Sequence, residues 1–404
     1  MKFLYTILSL AIVYTAQAQQ VLSSCKSETG KWGFCNAEGK VIIPQKYEDV
    51  SKKFWENTFA FTIDGVLPNG LKKWNVINTQ GTVLCSGNEV GILSKNLIWY
   101  LYTSDIFNVH TNKNERQRDY RIIAPNKTKE QKDNIEKVVL SVEPKLIDGL
   151  VYIRTWKYNP TEKREYYLSG YLNEIGDWAI PLTFGNKPSD WLDSKFSEGL
   201  VGYKKDGVAG FMNPKGEQVF KLDEPYEKII SIGRFSNGLA LISLKAGAES
   251  RIYYFVDKTG KKVIDLGELK IKKDFVTNDD ITVLSFKGGI APVYKDSKWG
   301  FINTAGKTAI DFQFDGFGTI HYQTSDEVWD EFALLNVKKG DLWGCINTKG
   351  EVVIPFLYYT ISGNTNKTTK KSYIKVEGTI EGKFTRGKYE LNENGQFVFT
   401  AGSF

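Results

Sequence analysis

The chain has 404 residues, of which 41% are hydrophobic, 25% charged and 14% aromatic. That composition excludes the disordered and collagen-like classes, and the length allows two or three domains or one repeat array. The formal net charge of +6 becomes +5 if Lys2 is removed with a leader; so mild an excess, with no long basic patch, makes nucleic acid an unexpected partner.

Residues 1–18 read as a secretory signal peptide. Lys2 supplies the positive start, residues 3–14 an apolar run, and Ala16-Gln17-Ala18 the small residues that a signal peptidase accepts. Cleavage after Ala18 leaves Gln19 first, so residues 19–404 form the mature chain. That chain is expected in the periplasm, at the cell surface or outside the cell. Leu22-Ser23-Ser24-Cys25 looks like the box before a lipidated cysteine. The polar stretch 15–20 separates it from the apolar run and weighs against a lipoprotein. The apolar run is too short to span a membrane, and no other approaches 18 residues.

The rest of the chain repeats. Lys31-Trp32-Gly33-Phe34-Cys35-Asn36-Ala37-Glu38-Gly39, Lys298-Trp299-Gly300-Phe301-Ile302-Asn303-Thr304-Ala305-Gly306 and Leu342-Trp343-Gly344-Cys345-Ile346-Asn347-Thr348-Lys349-Gly350 are one motif. Lys73-Trp74-Asn75-Val76-Ile77-Asn78-Thr79-Gln80-Gly81 is a weaker copy. Four more keep the frame without the Trp and close at Gly176, Gly216, Gly260 and Gly395. Successive closing glycines lie 42, 95, 40, 44, 46, 44 and 45 residues apart. The long gap hides a degenerate unit within 86–165, which makes about nine units with a period near 44 residues.

Each unit has an apolar run, then Asn/Asp-x-x-Gly, then a second apolar run. This is hairpin chemistry. Asn or Asp accepts a hydrogen bond from the backbone two residues on, and Gly takes the positive φ that closes the loop. A valine at Gly306 is therefore expected to cost more than one at Gly288, which has Gly289 beside it. Turns such as Phe196-Ser197-Glu198-Gly199 and Phe235-Ser236-Asn237-Gly238 lead into a further strand. The charge run 113–137 reads as a solvated loop, and no long segment has helical periodicity. The fold class is all-β: three- to four-stranded antiparallel units in tandem, forming an open twisted array or a propeller-like one.

The pattern resembles the WG (KWG) β-repeat family, a group of mostly bacterial tandem-repeat proteins, over roughly residues 25–399. Units one, six and seven match best. Ser169 and Ala209 stand where the family has Trp, and 86–165 departs most. The resemblance implies a β-repeat scaffold without an assigned activity and supplies no catalytic residues.

Nothing in the sequence adds chemistry to that frame. His110 and His321 are the only histidines and fall in different, weakly conforming segments. No zincin, C-x-x-C, nucleophile-elbow or P-loop string occurs. Catalytic, metal and cofactor sites are accordingly expected to be absent. Cys35, Cys85 and Cys345 occupy apolar positions of the repeat and read as small core residues. Cys25 lies outside that register, and a Cys25–Cys35 bridge stays open. Trp32, Trp74, Trp299 and Trp343 share one repeat position, with Tyr253 in a fifth unit, and read as packing between units. Tryptophans off that register are the better ligand candidates: Trp178, Trp191, Trp156 and Trp329, with Trp55 and Trp99 beside them. The expected function is an exported, non-enzymatic scaffold for protein or surface recognition. A glycan-binding module and a propeller-style hydrolase are the alternatives.

Overall fold

The computed structural model describes residues 21–108, 113–136, 138, 140, 144–159, 163–185, 187, 189–273, 280–318, 334–366, 371–380 and 382–402. The expected leader, His110, His321 and Trp329 lie outside the described residues. The chain divides into two compact units, Met1–Pro188 and Ser189–Phe404.

Both units are series of small antiparallel sheets whose strands neighbour one another in chain order. The first unit has four. Ser23–Lys26, Trp32–Cys35 and Val41–Tyr47 form the first sheet, and Asp49–Val50, Phe59–Val66, Lys72–Asn78 and Val83–Gly87 the second. Glu89–Ser94, Leu97–Asn108 and Lys113–Ile123 form the third, and Leu146–Ile147, Leu150–Asn159, Arg164–Asn173 and Trp178–Phe184 the fourth. The second unit continues with Trp191–Leu192, Val201–Lys205, Val208–Met212 and Gln218–Lys221, then Ile229–Ile232, Leu239–Lys245, Ser250–Asp257 and Lys262–Lys270. Ile290–Lys295, Lys298–Asn303 and Thr308–Phe314 follow, and a seven-stranded sheet runs from Gly316–Phe317 to Phe397–Ala401. The turns at Gly350 and Gly395 share this last sheet, because Val352–Thr365 is long enough to pair into two hairpins.

All eight closing glycines have positive φ, and at seven of the turns the Asn or Asp side chain accepts from the N–H two residues on; Asn36 accepts from the Lys40 N–H instead. In the Gly306 copy, Asn303 Oδ1 accepts the Ala305 N–H at 3.0 Å and the Lys307 N–H at 3.0 Å. The Gly306 N–H donates to the Asn303 carbonyl at 2.8 Å, and Gly306 sits at φ +75°. Asp257 does the same work with a carboxylate, whose pKa is held below the usual range first by the Thr259 hydroxyl.

At four of these turns the closing glycine also packs its sheet on the one before it. A Cβ on Gly81 would lie 3.2 Å from Ile43 Cγ2, one on Gly260 2.6 Å from Phe220 Cδ2, and one on Gly306 3.0 Å from Ile264 Cγ2. Gly350 meets Ile310 in the same way at 3.4 Å. Each of these apolar residues lies on the last strand of the preceding sheet. Gly39, in the first sheet, would meet nothing within 4 Å. Gly288 is also left-handed, at φ +59°, so a β-branched residue is strained there too. That narrows the contrast expected from sequence; contact with Ile264 is what sets Gly306 apart. Alanine at Gly39 or Gly306 is expected to cost about 1 kcal/mol through φ alone, with a further loss only at Gly306. Denaturant unfolding of the two variants measures the difference.

The glycine after the repeat tryptophan answers a different need. A Cβ on Gly33 would lie 2.4 Å from the Ile43 carbonyl oxygen, and one on Gly344 2.7 Å from that of Ile354. The neighbouring strand bulges there: Trp32 faces Tyr47 while Phe34 faces Ile43. Pro44 sits inside that bulge, where no ladder N–H is required. Where Asn75 replaces the glycine, the bulge is absent and Trp74, Asn75 and Val76 face Gly87, Ser86 and Cys85 in step. Asn75 is buried and its amide donates to Thr62 Oγ1 at 3.2 Å, while Ser86 Oγ donates to Asn75 Oδ1 at 2.6 Å.

The charge run 113–137 is not a loop. It contains the strand Lys113–Ile123 and the helix Lys129–Glu136. Tyr120, Ile122 and Ile135 are buried in the core with Leu97, Leu101 and Leu172. A few apolar residues at correct spacing outweighed the density of charge.

Candidate functional site

The repeat-register aromatics face inward. Trp299 is 1% exposed, with Tyr294 and Phe317 rings at 5.4 and 5.3 Å. Tyr253 is also buried, and Trp32, Trp74 and Trp343 are half-buried. Phe317 belongs to the sheet after that of Trp299, so this ring packs between sheets.

The off-register tryptophans do not form one constellation. Trp178 is half-buried against Leu172, Ile153 and Ile135 in the core of the first unit. Trp99 lies against the same core, and its Nε1 would be 2.3 Å from a Cβ on Gly91. Trp191 lies in the second unit, packed on the cluster of Leu200, Phe211 and Phe235. Trp191 pairs with Lys204, whose buried ammonium donates to the Tyr226 and Ile229 carbonyls at 3.0 and 2.7 Å. Burial pushes the Lys204 pKa down, while Asp190 and Glu227 oppose the shift. With two carbonyl acceptors, this lysine ties the turn at Tyr226–Lys228 to its sheet. Trp156 is different: it is 49% exposed. Its ring lies 3.6 Å from that of Tyr167, and the Arg154 guanidinium stacks on Tyr167 at 3.5 Å.

Trp55 lies in a concave surface of the first unit. A groove of about 630 Å³ opens there, lined by Val21, Lys52, Lys53, Trp55 and Phe61 among others. That size falls within the range of small-molecule sites. Phe54 and Phe59 are buried beneath it, Phe61 is half-buried, and Trp55 is 37% exposed. The strand Ser23–Lys26 holds the lysine segment: Ser24 N–H donates to the Lys52 carbonyl at 2.9 Å. Trp55 begins a tight loop closed by the Trp55 N–H donating to the Phe59 carbonyl at 2.6 Å. Glu56 and Asn57 hold φ of +43° and +54° in that loop, a region costly for non-glycine residues. Trp55 was legible as a candidate from its register. Its lysine neighbours and Phe61 were not, because the groove arises where two sheets meet.

Cys25 and Cys35 form a disulfide, with Cα atoms 5.8 Å apart on adjacent strands. Cys35 therefore fills an apolar repeat position and bridges as well. Cys85 and Cys345 are free and buried; burial pushes Cys85 up to about 12, and Cys345 also upward. Loss of the bridge by Cys35→Ser is expected to cost about 2–3 kcal/mol by the loop-closure model. Native protein should react with no alkylating reagent at pH 8, and denatured unreduced protein at two thiols. Any alkylation of the native protein would contradict this assignment. Among the described residues, no three His, Cys, Asp or Glu side chains come together to hold a metal, and no helix is long and apolar enough to cross a membrane.

The model of the WG containing repeat matches residues 32–65, 299–322 and 343–367. No curated protein gives a match. Among solved structures, one titled as a eukaryotic initiation factor is 12% identical, covers 96% of this chain and 85% of its own, and has a TM-score of 0.34. The acylaminoacyl peptidase of Pyrococcus horikoshii is 10% identical with a TM-score of 0.32, over 83% of this chain, which spans 58% of that one. The Dos1 propeller is 10% identical over 94% of each chain, with a TM-score of 0.24. Scores this low carry no functional information.

Proposed function

We propose that this chain, which belongs to the WG β-repeat family, is an exported, non-enzymatic scaffold that recognises its partner through aromatic residues outside the repeat register. The observation that carries this reading is a division of labour among tryptophans. Trp299 is 1% exposed, whereas Trp55 and Trp156 are 37% and 49% exposed. The repeat positions are spent on turns, bulges and packing between sheets, so recognition falls to residues that the repeat leaves free to vary.

Export is supported by the leader at 1–18 and by the Cys25–Cys35 bridge, since disulfides persist in oxidising compartments. A bridged Cys25 has no thiol left for a lipid thioether, which supports a protein that is not a lipoprotein. N-terminal sequencing of the exported protein should begin at Gln19. Retention of Met1, or a diacylated Cys25, would overturn export in this form. Recognition is tested with a Trp55→Ala/Trp156→Ala double variant against a panel of purified envelope glycans and extracellular proteins. The variant should melt like the native protein and lose the ligand that the native protein retains. Unchanged retention of that ligand would refute the recognition surface.

A further inference from the structure

We infer that the groove beside Trp55 is a binding site for an acidic polysaccharide, a ligand class that rests on the recognition reading above and makes it specific. Three observations converge. The groove has a flat aromatic wall, with the indole of Trp55 37% exposed over buried Phe54 and Phe59. Lys52 and Lys53 are exposed at its rim, and among the described residues neither ammonium has an ion-pair partner. Glu56 is the one carboxylate in the lining, so the rim carries a net positive charge.

The loop that begins at Trp55 adds to this. At the tight turns Asp148-Gly149, Glu198-Gly199 and Asn237-Gly238, glycine takes the second left-handed position. In the Trp55 loop Glu56 and Asn57 are both left-handed without glycine, as are Asp296 and Ser297 in another hairpin. The turn closed by the Trp55 N–H on the Phe59 carbonyl fixes where Trp55 sits in the groove lining.

The ligand class follows from chemistry. An indole face takes the C–H face of a pyranose ring, and an ammonium at the rim takes a carboxylate on the ring's edge. An acidic peptide brings charge without a flat apolar face. A phospholipid headgroup would leave the indole without a partner. A uronic-acid polymer supplies both features at once.

The experiment is affinity electrophoresis of the mature protein in gels containing polygalacturonate, its methyl ester, poly-glutamate or anionic phosphatidylglycerol vesicles. Polygalacturonate should retard the native protein, and added salt should weaken the effect. Trp55→Ala should weaken it roughly tenfold, the size of one lost stacking contact. Lys52→Gln/Lys53→Gln should weaken it and flatten the salt dependence. Lys349→Gln, at an exposed lysine in a repeat turn of the second unit, should leave it unchanged, and thermal melting confirms that each variant is folded. Equal retardation by the methyl ester, retardation only by poly-glutamate or vesicles, or a Trp55→Ala variant that migrates as the native protein would each overturn the proposal. Trp55-dependent binding to a neutral glycan would overturn it too, while leaving the recognition reading standing. If the Trp55→Ala/Trp156→Ala variant alters binding to no ligand, both fall.

Discussion

Replacing Trp299 with alanine is expected to cost about 3–5 kcal/mol, the usual loss for a buried tryptophan. Its ring is 1% exposed and lies among Tyr294, Phe317 and Phe301 in one apolar cluster. Phe317 comes from the following sheet, so truncation opens a cavity between sheets as well as removing area from water. A repeat protein depends on such interfaces, because one unit cannot bury its own face. Guanidinium unfolding of the variant should therefore show an earlier transition. A loss below about 1 kcal/mol, typical of surface positions, would mean that the ring is not buried as observed.

Gly210→Val is expected to be almost as severe, at about 3 kcal/mol, the upper range for forcing atoms into a packed site. A Cβ on Gly210 would lie 2.2 Å from the Phe220 carbonyl oxygen and 2.9 Å from Lys221 Cα. Both are backbone atoms of the neighbouring strand and cannot rotate away. The strand pair would have to separate, and Phe211 facing Phe220 would lose its partner. Gly210 is not left-handed, so the cost comes from space and not from φ. Circular dichroism melts of Gly210→Val beside Gly39→Val distinguish the two causes, because Gly39 has only the φ requirement. Equal shifts would contradict a steric role for the glycine that follows the tryptophan position of the repeat, held in this copy by Ala209.

Much of this architecture was legible in the sequence because it rests on local chemistry. Asn303 and Gly306 specify a turn from four residues, and the same spacing recurs at eight places. The role of Gly33, Gly210 and Gly344 was not legible. It depends on a bulge in a strand some ten residues away, and only the cross-strand register reveals it. The strand and helix within 113–137 were hidden for another reason: their buried residues, Tyr120, Ile122 and Ile135, are few among many charges. The merger of the last two units was equally hidden, since nothing in the glycine spacing says that Val352–Thr365 pairs on both halves. At the candidate site, register separated Trp55 from Trp299. Register did not separate Trp55 from Trp178 and Trp191, which are also off-register but pack on cores. That distinction needs the tertiary fold.

Asp315 shows how polar repeat residues join the same scheme. Its carboxylate accepts from Lys298 Nζ at 2.5 Å and from the Gly340 N–H at 2.8 Å, which lies in the next sheet's hairpin. The lysine before the repeat tryptophan, and after it that N–H, hold the Asp315 pKa below the ordinary carboxylate range.

The central claim is that Trp299, in the repeat register, holds the fold, and that Trp55 and Trp156, exposed outside it, face a ligand. Parallel thermal melts of Trp299→Ala and Trp55→Ala test it most directly. The account predicts a clear fall for Trp299→Ala and a shift of no more than about 2 °C for Trp55→Ala, as for a surface change near 0.5 kcal/mol. A Trp55→Ala variant that melts as early as Trp299→Ala, or a Trp299→Ala variant that melts with the native protein, would contradict it.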